Sequence, residues 1–321
     1  KRLKEQTSIV SNWSIEHIPD SCATTKPGKY FCLFPIILPI FTIPYSLKMT
    51  KYRLSQKHLN LLTTCPRKFQ HLYLDSLSVP TTPIEQERLN WGSQFHLLMQ
   101  QRELGLPIES LMLENQEMQH SFENFFQAAP EILNYETQDD LILRQAEHNR
   151  SINFNGYILT VIYDLLIANF QQAQIFDWKT YSYPQNKNKI AQDWQTRLYL
   201  YTLVQTSNYF PEAVSMTYWF IQPKNQQLPY KLKFSYNQQL HQKTEQDLQD
   251  ILDNLTKWLK HYQQESAEFP QVKIIDPCHT CQFATRCQRF SAVKHQDKYV
   301  QSVDIDPSLI LNLEDIPEIS I

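Results

Sequence analysis

Residues Tyr157–Ala168 read YILTVIYDLLIA and are apolar, β-branched or aromatic at nearly every position. An unbroken run of this kind predicts a strand buried on both faces. Shorter strands are predicted over Leu141–Glu147, Gln174–Thr180, Val214–Ile221 and Tyr230–Phe234. Elsewhere the apolar positions follow the helical period. Ser55 is placed to cap a short helix in SQKHLNLLT, and Cys65-Pro66 opens the next, where proline suits the first helical position. Leu62, Cys65, Phe69 and Tyr73 recur at helical spacing and make one face. After a break at Thr81–Pro83, helix is predicted from about Glu85 to Leu104 and around Glu109–Ala128, with Pro130 ending that stretch. Ile190–Thr206 and Asn237–Gln264 are the later helical segments. Helices, three strands, a helix, further strands and a last helix make a mixed α/β domain.

Residues 1–48 do not share this patterning. Phe31–Leu47, FCLFPIILPIFTIPYSL, is strongly apolar, and its 17 residues reach only the lower limit of a membrane span. Pro35, Pro39 and Pro44 interrupt it, each removing a backbone donor. No small-residue cleavage site follows, so a signal peptide is a poor fit. Residues 1–48 read as an extension from an early start assignment, non-native or disordered, with a membrane anchor as the alternative. The domain then spans residues 49–290. The tail, 291–321, is acidic beyond Lys298, with Asp304, Asp306, Glu314, Asp315 and Glu318. A cytoplasmic protein without membrane association is expected.

Composition removes several functions. The 321 residues carry 30 Lys+Arg against 33 Asp+Glu, a net charge of −3, so an anionic ligand needs a local patch or a metal. Four glycines, Gly28, Gly92, Gly105 and Gly156, cannot spell a dinucleotide fingerprint or a P-loop. No P-loop ATP motor is present in the chain.

Chemistry concentrates on the strands. Asp164 interrupts the apolar run, and a buried carboxylate requires a metal, a cation or donors. Thirteen residues on comes Asp177-Trp178-Lys179. Side chains two apart on a strand share a face, so Asp177 and Lys179 project together while Phe176 and Trp178 pack on the other side. A hairpin would lay Asp164 beside Asp177. Two carboxylates and an ammonium at one point suit a divalent metal with a lysine beside a reacting phosphate. An isolated Asp-x-Lys triplet is otherwise an ordinary surface ion pair. Gln195 and Tyr199 lie one turn apart on the following helix, and Gly92 and His96 stand in GSQFH upstream.

Asp164, Asp177-x-Lys179, Gln195-x3-Tyr199 and Gly92-x3-His96, in this order around the strands, resemble the PD-(D/E)XK nuclease superfamily, in particular RecB-like nuclease domains. The opening SxxHLxxLxxCPRKFQ resembles the start of those domains. The resemblance implies a restriction-endonuclease-like core, a mixed central sheet flanked by helices, with a helical N-terminal part and a C-terminal cysteine segment. It implies that Asp164 and Asp177 ligate Mg²⁺ or Mn²⁺ with the Trp178 carbonyl and His96. Lys179 would orient or activate the attacking water, and Gln195 and Tyr199 would hold DNA or the site geometry. Glu147 is a peripheral member. The activity implied is metal-dependent hydrolysis of DNA phosphodiesters, as an exonuclease on single-stranded ends in repair, recombination or defence, with a helicase or repair protein as partner. The alternative is a non-catalytic DNA- or helicase-binding protein of the same fold.

Six cysteines occur, of which Cys22 and Cys32 lie in the extension. Cys278, Cys281 and Cys287 give C-x2-C-x5-C, with Cys65 far upstream. That pattern without a secretory signal argues for metal over disulfides. Four thiolates fit zinc or an iron–sulfur cluster, and spacing does not decide between them. An early cysteine before a proline, then C-x2-C-x5-C after the core, is similar to iron–sulfur nucleases of the AddB and CRISPR-associated types. That likeness implies a structural [4Fe-4S] cluster. Arg67, Lys68, Arg286 and Arg289 stand nearby, either as a phosphate patch or as solvated charge.

Overall fold

The computed structural model describes residues 52–289, apart from 79, 114, 134–140, 182–185 and 222–227. The extension, with Cys22, Cys32 and Phe31–Leu47, and the acidic tail lie outside the described residues. Among the described residues, no helix is long and apolar enough to cross a membrane.

The centre is a mixed sheet. Its strands are β1 (Arg53–Leu54), β2 (Leu141–Phe154), β3 (Tyr157–Asn169), β4 (Ala173–Lys179), β5 (Val214–Phe220) and β6 (Tyr230–Ser235). The order is β1-β3-β4-β5-β6, with β2 also on β3. Strand β3 pairs antiparallel with β2 along its length, with β4 over Leu165–Ala168 and parallel with β1 at Ile158–Leu159. On the edge of β3 opposite β2, between those last two pairings, no ladder partner covers Thr160 to Asp164, and Asp164 sits where β3 and β4 part.

Helices cover both faces, as expected for a restriction-endonuclease-like core. On one face α1 (Gln56–Thr64), α8 (Trp194–Gln205) and α9 (Gln238–Glu265) enclose a core including Leu59, Leu159, Tyr163, Ile175, Leu198 and Leu252. On the other, α3 (Pro83–Glu103) and α5 (Gln116–Ala128) pack Phe95, Leu98 and Phe125 over Leu165, Phe176, Trp178 and Trp219. Phe176 and Trp178 thus occupy the face opposite Asp177, as the alternation predicts.

Several predicted elements divide where a short polar residue captures the backbone. The long segment Ile190–Thr206 is two helices, α7 (Lys187–Gln192) and α8, because Asp193 is extended and its side chain accepts from Gln195 N. Glu109–Ala128 separates into α4 (Glu109–Leu113) and α5, capped by Asn115, and Pro130 opens α6 (Pro130–Leu133) as well as closing the previous stretch. Leu62, Cys65, Phe69 and Tyr73 do not form one helix face. Cys65 is extended between α1 and α2 (Pro66–Phe69), a π-helical turn over Gln70–Leu74 follows, and Tyr73 is 38% exposed. Strand β2 runs past Glu147 to Phe154, although Glu147 takes a left-handed φ of 48°. That conformation is costly for a residue with a side chain.

A clasp joins distant parts of the chain near Cys65. Arg67 Nε donates to the Phe269 carbonyl at 2.6 Å, its backbone N–H to Pro270, and its guanidinium pairs with Glu268. The Phe269 N–H donates to Gln70 Oε1 at 2.7 Å, and the Phe69 and Phe269 rings stack.

Candidate active site

The site is built where β3 and β4 separate. Asp177 and Lys179 point from β4 toward α8, and Gln195, one residue into that helix, meets both. Its Oε1 accepts from Lys179 Nζ at 2.7 Å, while its Nε2 donates to Asp177 Oδ2 at 2.7 Å. The aim of Gln195 is set by the start of α8. Asp193 Oδ1 caps it at Gln195 N, and Asn60 of α1 contacts Asp193 and accepts from Trp194 N. Lys179 Nζ lies 2.8 Å from Asp177 Oδ1 as a buried ion pair.

Asp177, not Asp164, is the deeply buried carboxylate, at 1% exposure. The sequence placed Asp164 in the interior; it is partly exposed because β3 has no neighbour on that edge. Asp164 Oδ2 accepts from the Trp178 N–H at 2.7 Å. His96 approaches from α3, with Nε2 3.0 Å from the Trp178 carbonyl oxygen and Nδ1 3.5 Å from Asp164 Oδ1. Gly92, one turn earlier, permits this approach, since a Cβ there would come within 2.9 Å of Thr180 Oγ1.

Charges in this cluster are strongly coupled. Burial pushes the Asp177 carboxyl up to about 7, with Lys179 opposing and Asp164 adding to the rise. For Lys179 burial acts downward, but the Asp177 carboxylate outweighs it and the ammonium is held above its ordinary range. Burial likewise works against protonated His96, and the Asp164 carboxylate overcomes it to give about 9.

Glu147 belongs to the group more closely than its position on the previous strand suggested. Its carboxylate, His96 and Asp164 bring their ligand atoms within 4.8 Å of one another, the one such trio among the described residues. Asp177 is outside it, turned toward Lys179 and Gln195. Hard oxygens and an imidazole are the donor set of a divalent cation. Tyr199 faces elsewhere. It is 2% exposed, and its hydroxyl accepts from Gln56 Nε2 on α1 at 3.3 Å.

The four cysteines of the domain line one cavity, together with Lys68 and Arg289. Burial pushes the thiols of Cys278 and Cys287 up, and both Cys65 and Cys281 add to the rise in each. No three of the sulfurs come within 4.8 Å of one another.

The profile of the PD-(D/E)XK nuclease superfamily matches residues 53–288. Among solved structures, a candidate exonuclease from Eubacterium rectale is similar at a TM-score of 0.47 and 10% identity, over 75% of this chain and 90% of that one. A second, SSO0001, has a TM-score of 0.33 and 14% identity, over 74% of this chain and 86% of the other. No curated protein matches.

Proposed function

From the premise that this chain belongs to the PD-(D/E)XK nuclease superfamily, we propose that it hydrolyses DNA phosphodiesters with Mg²⁺ or Mn²⁺, as an exonuclease on single-stranded ends. The observation that carries the reading is the meeting of Asp177 and Lys179 on Gln195, beside the trio His96, Glu147 and Asp164. The single-stranded substrate, and a helicase or repair partner, are taken from the likeness of the motif set to RecB-like nucleases.

The residues fit a divalent cation. Asp164, Asp177, His96 and the Trp178 carbonyl would hold it, and the proximity of Glu147 adds a further carboxylate. A cation bound there supplies charge neutralisation on phosphate and a lower pKa for water. The protein does the rest. Lys179 would set its ammonium, held beside Asp177, against the negative charge that develops as the phosphate becomes five-coordinate. Gln195 fixes the ammonium from one side and the carboxylate from the other, so neither needs to reorganise during attack. Buried Tyr199 serves the site through α1 and α8, by anchoring the helix that carries Gln195.

The cysteine cavity is read as a structural [4Fe-4S] site held by Cys65, Cys278, Cys281 and Cys287. The choice of a cluster over tetrahedral zinc is taken from the likeness of the cysteine pattern to iron–sulfur nucleases.

The test is degradation of end-labelled single- and double-stranded DNA with Mn²⁺, by the wild type and by Asp177→Asn. Shortening from the labelled ends, lost in the variant, is expected. Cleavage by Asp177→Asn at the wild-type rate overturns the site, and internal cuts alone overturn the exonuclease reading.

A further inference from the structure

One buried group beside the cysteine cavity has no role in the site described so far. His71 lies in the π-helical turn after α2 and is 2% exposed. Its Nε2 is 3.6 Å from Cys287 Sγ, and its Nδ1 is 2.9 Å from Asp75 Oδ2. The ring also packs on Phe283, between Cys281 and Cys287.

Asp75 is itself held. Its Oδ1 accepts from the Tyr262 hydroxyl at 2.9 Å, and the Gln70 amide reaches both carboxylate oxygens. Burial works to raise its carboxyl, but the hydrogen bonds from His71, Tyr262 and Gln70 hold it below its ordinary value. Asp75 is therefore an acceptor at Nδ1, and that bond fixes the imidazole plane. The other ring nitrogen is left aimed at one sulfur. Packing alone does not call for this arrangement, because an apolar ring of the same size would fill the space against Phe283.

A metal-bound thiolate has lone pairs and no hydrogen to give. The Nε2 contact is then favourable with the hydrogen on nitrogen and the sulfur accepting. The ring stands between the Asp75 carboxylate and the Cys287 sulfur.

We propose that His71 is a positioning residue of the cysteine site, donating an Nε2–H hydrogen bond to the Cys287 thiolate, with Asp75 orienting the ring. The proposal rests on the cluster reading above. Hydrogen bonds to ligating sulfur withdraw electron density from it and help set a cluster's potential. His71 thereby favours the reduced, more negative cluster and restrains Cys287 in the cavity.

The experiment compares anaerobically purified wild type, His71→Phe, His71→Gln, Asp75→Asn and Cys281→Ser. Iron and sulfide content, reduction potential and the Fe–S(Cys) stretching bands are read for each. Iron in the wild type is expected, with His71→Phe keeping at least half of it at a lower potential and a raised stretching frequency. His71→Gln, which retains an N–H donor, falls between the two, and Asp75→Asn shifts in the same direction as His71→Phe by less. Iron present with the potential and bands unchanged in all three overturns this proposal alone. Iron lost from His71→Phe as completely as from Cys281→Ser overturns it too, by making His71 a ligand. Wild-type protein without iron overturns the cluster reading and this proposal with it.

Discussion

The Nε2 atom of His96 stands 3.0 Å from the carbonyl oxygen of Trp178, although the two residues are 82 positions apart in the chain. Helix α3 reaches β4 this closely because Gly92 has no side chain to strike Thr180. Gly92→Val is expected to force the helix outward and to separate His96 from Trp178 and Asp164. A displacement near 1 Å at a reacting centre can cost about 10²-fold in rate. Nuclease rate and Mn²⁺ affinity, measured beside a melting curve, check this. A folded Gly92→Val protein with wild-type rate and affinity would remove the close approach from the account of the site.

Gln195 should be the most sensitive position outside the charged set. Gln195→Glu keeps the acceptor for Lys179 but replaces the donor to buried Asp177 with a second carboxylate. The expected loss is on the order of 10²-fold in kcat, the scale for one misplaced electrostatic group, with a smaller change for Gln195→Ala. If Gln195→Glu turns over DNA as fast as the wild type, the bridge is incidental.

The alternation on β4 made the pairing of Asp177 with Lys179 legible, because a strand has only two faces and Phe176 and Trp178 claim one. The apolar runs likewise marked β3 and β5. Helix ends were harder. Asp193 and Asn115 interrupt a continuous periodicity only by capping, which competes locally with helix and leaves the apolar pattern intact. Tiny β1 has two residues and no pattern of its own. Glu147 is hidden from the pattern because its left-handed φ lets it leave the regular strand alternation. Asn60 and His71 act through partners more than one hundred residues away, which no local spacing reveals.

Loss of one thiolate tests the cysteine cavity directly. Cys281→Ser should bleach a brown protein and lower its melting temperature by roughly 5 °C, the scale of about 2 kcal/mol in a domain of this size. Colourless wild type that carries zinc and no iron, after anaerobic purification, contradicts the cluster.

Acid should weaken the protein partly through His58. Its Nδ1 accepts from the Ser55 N–H at 3.0 Å and completes the capping box of α1. Burial, helped by Lys57, lowers this imidazole to about 4. The unfolded chain takes up the proton near pH 6.5 and the folded one does not. Stability is therefore full above about pH 6.5 and falls as the pH drops toward 4, by about 3 kcal/mol at most from this group. His58→Gln keeps a capping side chain without a titrating ring. Urea unfolding of the two proteins from pH 7 to 4 should show a shallower fall for the glutamine variant; parallel curves would dismiss the role of His58.

Arg67, Gln70 and the Phe69–Phe269 stack fasten residues 268–270 beside the start of α2 through contacts that require no metal. The long loop between Cys65 and Cys278 is thus closed before any thiolate is filled, and the entropy of closing it is borne by the polypeptide. If the cavity holds a metal, its loss would leave the four cysteines gathered around one cavity, not scattered along a coil. Reloading would then demand local adjustment of side chains and no refolding of the chain.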